Sequence, residues 1–194
     1  DYYTPQLYWK VKSDQAYPAL LNWWTHKDQN PKGRHLWPGN FTGRTNPKDG
    51  NWPASEVVEQ IEVTRKNPKS TGNVHFSMKA FTNNFSGIST ALKSGPYARP
   101  ALIPPSPWLD DRAPDAPVLV SSARRNGVWR VTVKPGSAEA IRFYVFMAKR
   151  GGNWSVAKVS SEPTADLPGD ATGAAVYALD RVSNASEALM VSGR

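Results

Sequence analysis

The 194-residue sequence contains no cysteine. Disulfides, thiolate metal sites and a cysteine nucleophile are thereby excluded. No apolar run approaches the roughly 18 residues that a membrane-spanning helix needs, so no integral membrane segment is expected. Histidine occurs at His26, His35 and His75 only, on separate stretches and without HxH or HExxH spacing, which argues against a metal site. The nucleophile elbow, the phosphate loop and the dinucleotide fingerprint are all missing, and no cofactor is expected. The chain opens on Asp1-Tyr2-Tyr3-Thr4-Pro5, with neither a starting Met nor a basic-then-apolar leader, and reads as a fragment or a processed product.

What is abundant is positive charge, tryptophan and proline. The net charge is +8, from 24 Lys and Arg against 16 Asp and Glu. The excess is divided between the halves, 13 against 8 in residues 1–110 and 11 against 8 in residues 111–194, and its tightest clusters are pairs such as Arg124-Arg125. So diffuse a charge suits an acidic polymer or surface rather than nucleic acid, and no nucleic-acid partner is expected. Six of the eight tryptophans fall within the first 110 residues, where they serve either as core or as flat platforms for a ligand.

Periodicity divides the chain in three. Residues 1–95 read as three strand–helix units. Their strands lie near 6–11, 35–39 and 73–78. Their helices begin at Tyr17-Pro18, Trp52-Pro53 and Ile88, with Leu20, Leu21 and Trp24 on one face of the first and Val57, Val58, Ile61 and the stem of Arg65 on one face of the second. Residues 96–117 hold seven of the 17 prolines and form a stiff connector. Residues 118–194 change to period two, with short strands punctuated by Asn126-Gly127, Pro135-Gly136, Gly151-Gly152 and Pro168-Gly169, the pattern of a β-sandwich.

The segments Pro5-Gln6-Leu7-Tyr8-Trp9-Lys10, Tyr17-Pro18-Ala19-Leu20-Leu21-Asn22-Trp23-Trp24 and Gly33-Arg34-His35-Leu36-Trp37-Pro38-Gly39 stand in order along the first half. They are followed by Glu56-Val57-Val58-Glu59-Gln60-Ile61, Gly72-Asn73-Val74-His75-Phe76-Ser77-Met78-Lys79, Tyr97-Ala98-Arg99-Pro100-Ala101-Leu102 and Pro107-Trp108-Leu109. Together they resemble the glycosyl-hydrolase-like family related to glycoside hydrolase family 10, which includes a bacterial peptidoglycan hydrolase. The stretch Val176-Tyr177-Ala178-Leu179-Asp180-Arg181-Val182-Ser183-Asn184-Ala185-Ser186 is similar to the end of bacterial fibronectin-III modules. The resemblance implies a fold that is α/β plus all-β: the last three βα units of a (β/α)8 TIM-like barrel, then a fibronectin-III-like β-sandwich. It further implies a polysaccharide substrate, denuded peptidoglycan strands, in the bacterial cell envelope, and N-terminal barrel units that this chain lacks.

Glycoside hydrolysis needs two flanking carboxyl groups, and in a barrel these sit at strand ends. The acids nearest the strand ends here are Asp14 and Asp49, both out in loops, and none follows the third strand before Asp110. The catalytic residues are thus left unassigned, and the chain alone is expected to be inactive. Asp14 is read first as a loop or N-cap residue. The substrate-binding candidates are Tyr8 and Trp9 at the first strand end, Trp37, Asn40 and Arg44 after the second, and Ser77 and Lys79 at the third. Trp9 is either a sugar platform or core, and the 40–51 loop either a cleft wall or plain surface. Arg44 has the charge and fork geometry for the lactyl carboxylate of a muramic acid. The competing reading is a non-catalytic glycan-binding or scaffolding protein.

Overall fold

A computed structural model describes residues 1–193. The chain divides into two compact units, Asp1–Ala101 and Leu102–Arg194.

In the first unit the strands are very short. β1 (Tyr2–Tyr3) precedes α1 (Tyr17–Trp24), followed by β2 (His35–Leu36), β3 (Gly39–Asn40), α2 (Ala54–Lys66), β4 (Val74–His75), α3 (Met78–Thr82) and α4 (Ile88–Ser94). β1 pairs in parallel with β2, and β3 with β4, while a single parallel bridge links Gln6 to Gly39. Helices α1 and α2 start where Pro18 and Pro53 place fixed φ at the first turn or just before it. Two apolar clusters hold this unit. Leu7, Tyr17, Leu21 and Leu36 form one, and Val57, Ile61, Ala80, Ile88 and Leu92 the other.

This overturns the expected last three βα units of a TIM-like barrel. Among the described residues the sheets are four, two of them two-stranded, and the molecule is β-rich with four short helices. The physical reason lies in the chain itself. Pro38 has no N–H to donate, and the predicted strand 35–39 breaks there into the two short strands β2 and β3, although the N–H groups of His35, Trp37 and Gly39 still donate to the carbonyls of Asp1, Tyr3 and Pro5. The third predicted strand stops at His75, because Met78 already begins α3 in what reads from sequence as a strand end and loop.

The second unit carries β5 (Val118–Arg125), β6 (Val128–Lys134), β7 (Phe143–Arg150), β8 (Asn153–Ser160), β9 (Thr164–Pro168), β10 (Gly173–Leu179) and β11 (Leu189–Ser192). They form two antiparallel sheets, ordered β5-β6-β9 and β11-β10-β7-β8. Asn126 and Gly127 both take positive φ, at 51° and 75°, and Gly151 and Gly152 do the same at 53° and 84°. These are the two-residue turns whose twist matches the hairpin strands they join. Alternation sends Trp129, Val131 and Val133 of β6 inward to meet Tyr144, Phe146, Ala165, Leu167 and Val176 in one core. The Trp129 indole N–H donates to Ser122 Oγ at 2.8 Å, and the Arg124 guanidinium lies 4.3 Å from its ring centre.

Trp129→Ala is expected to cost this unit about 3–5 kcal/mol, and Ser122→Ala about 1 kcal/mol through the lost indole partner. Urea denaturation of the variants measures both; equal losses would mean that packing around Trp129 contributes little.

Candidate functional site

The parallel pairings send three segments out at the same end. Leu7 N–H donates to Gly39 O at 3.0 Å, Val74 N–H to Pro38 O at 3.0 Å and Phe76 N–H to Asn40 O at 2.9 Å. The next ring along each segment is Tyr8, Phe41 and Phe76. Their ring centres lie 4.7 Å apart for Tyr8 and Phe41, 6.2 Å for Tyr8 and Phe76, and 5.8 Å for Phe41 and Phe76. Phe76 is 55% exposed, while Tyr8 and Phe41 are half-buried. Burial pushes the Tyr8 phenol pKa up, which keeps it a neutral hydrogen-bonding group. The Phe76–Ser77 peptide is cis.

Arg44 completes the patch. Its guanidinium stands 5.0 Å over the Phe41 ring, and Nη1 reaches Asp49 Oδ1 at 3.4 Å. That ion pair is largely exposed and holds the arginine loosely. Gly43 permits the arrangement, because a Cβ there would come within 2.9 Å of the Phe41 ring.

Beneath the patch lies a buried polar network. Gln60 of α2 is fully buried, and its Nε2 donates to Trp9 O at 3.0 Å and to Glu56 Oε1 at 3.3 Å. Its Oε1 accepts from Asn40 Nδ2 at 2.9 Å. Asn40 Oδ1 accepts in turn from Asn73 Nδ2 at 2.9 Å. Tyr17 OH meets Thr64 Oγ1 at 2.8 Å, and burial pushes its pKa up against the lowering effect of these hydrogen bonds. Glu56 Oε1 also accepts from Val11 N–H at 2.7 Å.

The structure brings only some of the predicted site residues together. Tyr8 and Arg44 lie in the aromatic patch. Trp9 is 39% exposed and is anchored through its carbonyl. Asn40 is fully enclosed, and its amide is spent inside the protein. Trp37 stands apart from the patch, stacked on Tyr2 at 4.2 Å and on His35 at 5.8 Å, with its indole N–H on Thr71 Oγ1. Ser77 is half-buried at the N-cap of α3, and Lys79 is an exposed residue of that helix. Asp14 is exposed in its loop. Sequence reasoning missed Phe41 and Phe76; the available signal was that each immediately follows a strand. Among the described residues no group of three or more His, Cys, Asp or Glu is placed to hold a metal.

No family model matches the chain. The chain is similar to Glycosyl hydrolase YngK of Bacillus subtilis (strain 168), 37% identical over 122 residues. That match takes in 61% of this chain and 24% of YngK, so the chain spans about a quarter of that relative's length. The similarity supports a glycosyl-hydrolase-like family. The crystal structure of the Spr0440 glycoside hydrolase domain, Endo-D from Streptococcus pneumoniae R6, aligns with a TM-score of 0.35 at 21% identity, over 43% of this chain and 15% of that one. This likeness is too slight to carry the fold.

A concavity of about 460 Å³ opens among His75, Met78, Phe81, Leu92, Lys93 and Tyr97. His75 Nε2 meets Tyr97 OH at 2.7 Å, and among the described residues His75 Nδ1 is buried with no partner. Burial drives the imidazole pKa down to about 4 and the Tyr97 phenol up to about 12, the latter despite the nearby Arg65 cation. Both groups are therefore neutral around pH 7. Unfolded His75 binds a proton near pH 6.5, whereas the folded side chain resists it until about 4. Above pH 6.5 His75 is neutral in both states and adds no pH dependence; as pH falls from 6.5 toward 4 the unfolded chain takes up the proton first, so stability falls over that window. In urea titrations between pH 4 and 7, His75→Gln is expected to flatten that part of the pH dependence. Parallel curves for the two proteins would mean that His75 is free to protonate in the fold.

Proposed function

We propose that the chain is a substrate-contacting portion of a glycoside hydrolase related to family 10, acting on peptide-free peptidoglycan strands in the bacterial cell envelope. The observation that carries this reading is the Tyr8–Phe41–Phe76 patch with Arg44 at its edge, in a chain similar to a glycosyl hydrolase. A pyranose ring has apolar C–H faces that pack on aromatic rings, and hydroxyls that need polar neighbours at the edge. A muramic acid adds a lactyl carboxylate, and a guanidinium that rests on the Phe41 ring and pairs with an exposed aspartate is a fitting partner for it.

The two carboxyl groups that the chemistry requires belong, on this reading, to the rest of a longer polypeptide. Glu56 is occupied by Val11 N–H and Gln60, and Asp49 by Arg44. The same fact favours the second reading, a glycan-binding part with no hydrolysis of its own. Release of reducing ends from denuded strands by this chain alone would remove the binder reading.

Tyr8→Ala is expected to weaken binding of both chitohexaose and denuded peptidoglycan strands by roughly tenfold, since it removes a face common to every sugar. Arg44→Ala is expected to weaken binding only of the strands, which carry lactyl carboxylates. Isothermal titration with both ligands measures this. Equal losses for the two ligands in Arg44→Ala would sink the muramic acid assignment.

A further inference from the structure

We propose that Gln60 is a positioning residue that fixes the Trp9 segment for contact with glycan, an inference that rests on the glycan reading above. Gln60 belongs to a helix and is fully enclosed, so it cannot itself touch a ligand. Its carboxamide joins two of the three segments that build the aromatic patch, donating to Trp9 O at 3.0 Å and accepting from Asn40 Nδ2 at 2.9 Å. Asn40 extends the tie to the third segment through Asn73, which directly precedes β4. Only a side chain with both a donor and an acceptor at its tip can make these two contacts at once.

The Trp9 segment depends on such ties. After the single bridge at Gln6, residues 8–11 lie outside the named strands, with no ladder to hold them. Their inward anchors are Trp9 O on Gln60, Lys10 O accepting from Tyr17 N–H at 3.0 Å, and Val11 N–H on Glu56. Gln60 also holds Glu56 from the adjacent helical turn, at 3.3 Å, so it bears on two of the three. Trp9 presents its indole to solvent, 39% exposed, from a backbone fixed from within.

The test uses the whole chain with 5-fluorotryptophan, the Trp9 resonance being assigned with Trp9→Phe. Three variants are compared. Gln60→Leu removes donor and acceptor. Gln60→Glu keeps the acceptor for Asn40 but, while ionised, cannot donate to Trp9 O. Ile61→Val trims the neighbouring core residue and leaves the ties in place. At pH 7.5, Gln60→Leu and Gln60→Glu are expected to move or broaden the Trp9 resonance and weaken chitohexaose binding by roughly tenfold or more. Ile61→Val is expected to lower Tm with binding within about twofold of the parent. Lowering the pH protonates the introduced carboxyl and restores a donor, so Gln60→Glu is expected to recover both signals while Gln60→Leu does not. An unmoved Trp9 resonance in folded Gln60→Leu, or in Gln60→Glu when the leucine variant does not fold, overturns the tether. So does a binding loss in Ile61→Val equal to that of the Gln60 variants at matched Tm. A moved resonance with unchanged chitohexaose affinity overturns the link to glycan contact. A parent chain that binds neither chitohexaose nor denuded strands sinks the glycan reading itself, while the Trp9 resonance still decides the tether.

Discussion

A single buried carboxamide, that of Gln60, holds together segments that backbone pairing alone would leave loose. The parallel pairs of the first unit are two residues long, and two-stranded sheets of that size are marginal in water. Apolar packing by α1, α2 and α4 supplies most of the cohesion, but it is non-directional and does not set where Tyr8, Phe41 and Phe76 leave the sheets. Hydrogen bonds do. Gln60, Asn40, Asn73, Tyr17 and Thr64 satisfy one another at distances of 2.8–3.3 Å. In a buried site the gain from each such bond is small, while the cost of leaving a partner unmet is about 1–3 kcal/mol, so the network tolerates little rearrangement.

The second unit is built on the opposite principle. Its strands are up to eight residues long, its ladders are antiparallel, and its interior is apolar around Trp129 and Phe146. β5 is the exception: every one of its residues is exposed, including Val118, Leu119 and Val120. It is attached to the sheet by its ladder to β6 and by the polar grip on Trp129 from Ser122 and Arg124. A bulge between Leu119 and Ser121 interrupts its register, and such irregularity discourages an open edge from recruiting another strand.

The helix starts and the hairpin turns were legible in the sequence because proline and Asn-Gly or Gly-Gly pairs act locally, through φ. Strand length was not, because it depends on what each residue meets: the run 35–39 reads as one strand, yet it breaks at Pro38 into two short strands while its backbone hydrogen bonds to residues 1–5 continue across the break. The buried face of α2 was half legible. Val57 and Ile61 follow the apolar period, but Gln60 and Thr64 fill the same face and are polar, so a hydrophobic pattern passes over them. Asn40 failed for the same reason, since an asparagine beside a glycine after a strand looks like a surface residue until its three amide partners are seen. Arg44 could be singled out from its charge and loop, whereas the rings of Phe41 and Phe76 come side by side only once the pairing register is known.

An aromatic patch of this kind binds a sugar in its ground state about as well as in its transition state, and uniform binding of that sort does not accelerate bond cleavage. On the proposed reading, its contribution to hydrolysis lies in placement. A retaining or inverting pair of carboxyls must stand about 5–9.5 Å apart across the scissile bond, and an error of about 1 Å in the position of the sugar can cost on the order of a hundredfold in rate. On that reading, in which the catalytic acids come from elsewhere, such a surface must be stiff, because it is the reference against which they are aligned. The enclosed Gln60–Asn40–Asn73 chain would meet that requirement at low cost in exposed structure: it ties the Trp9 and Phe41 segments through their inner sides.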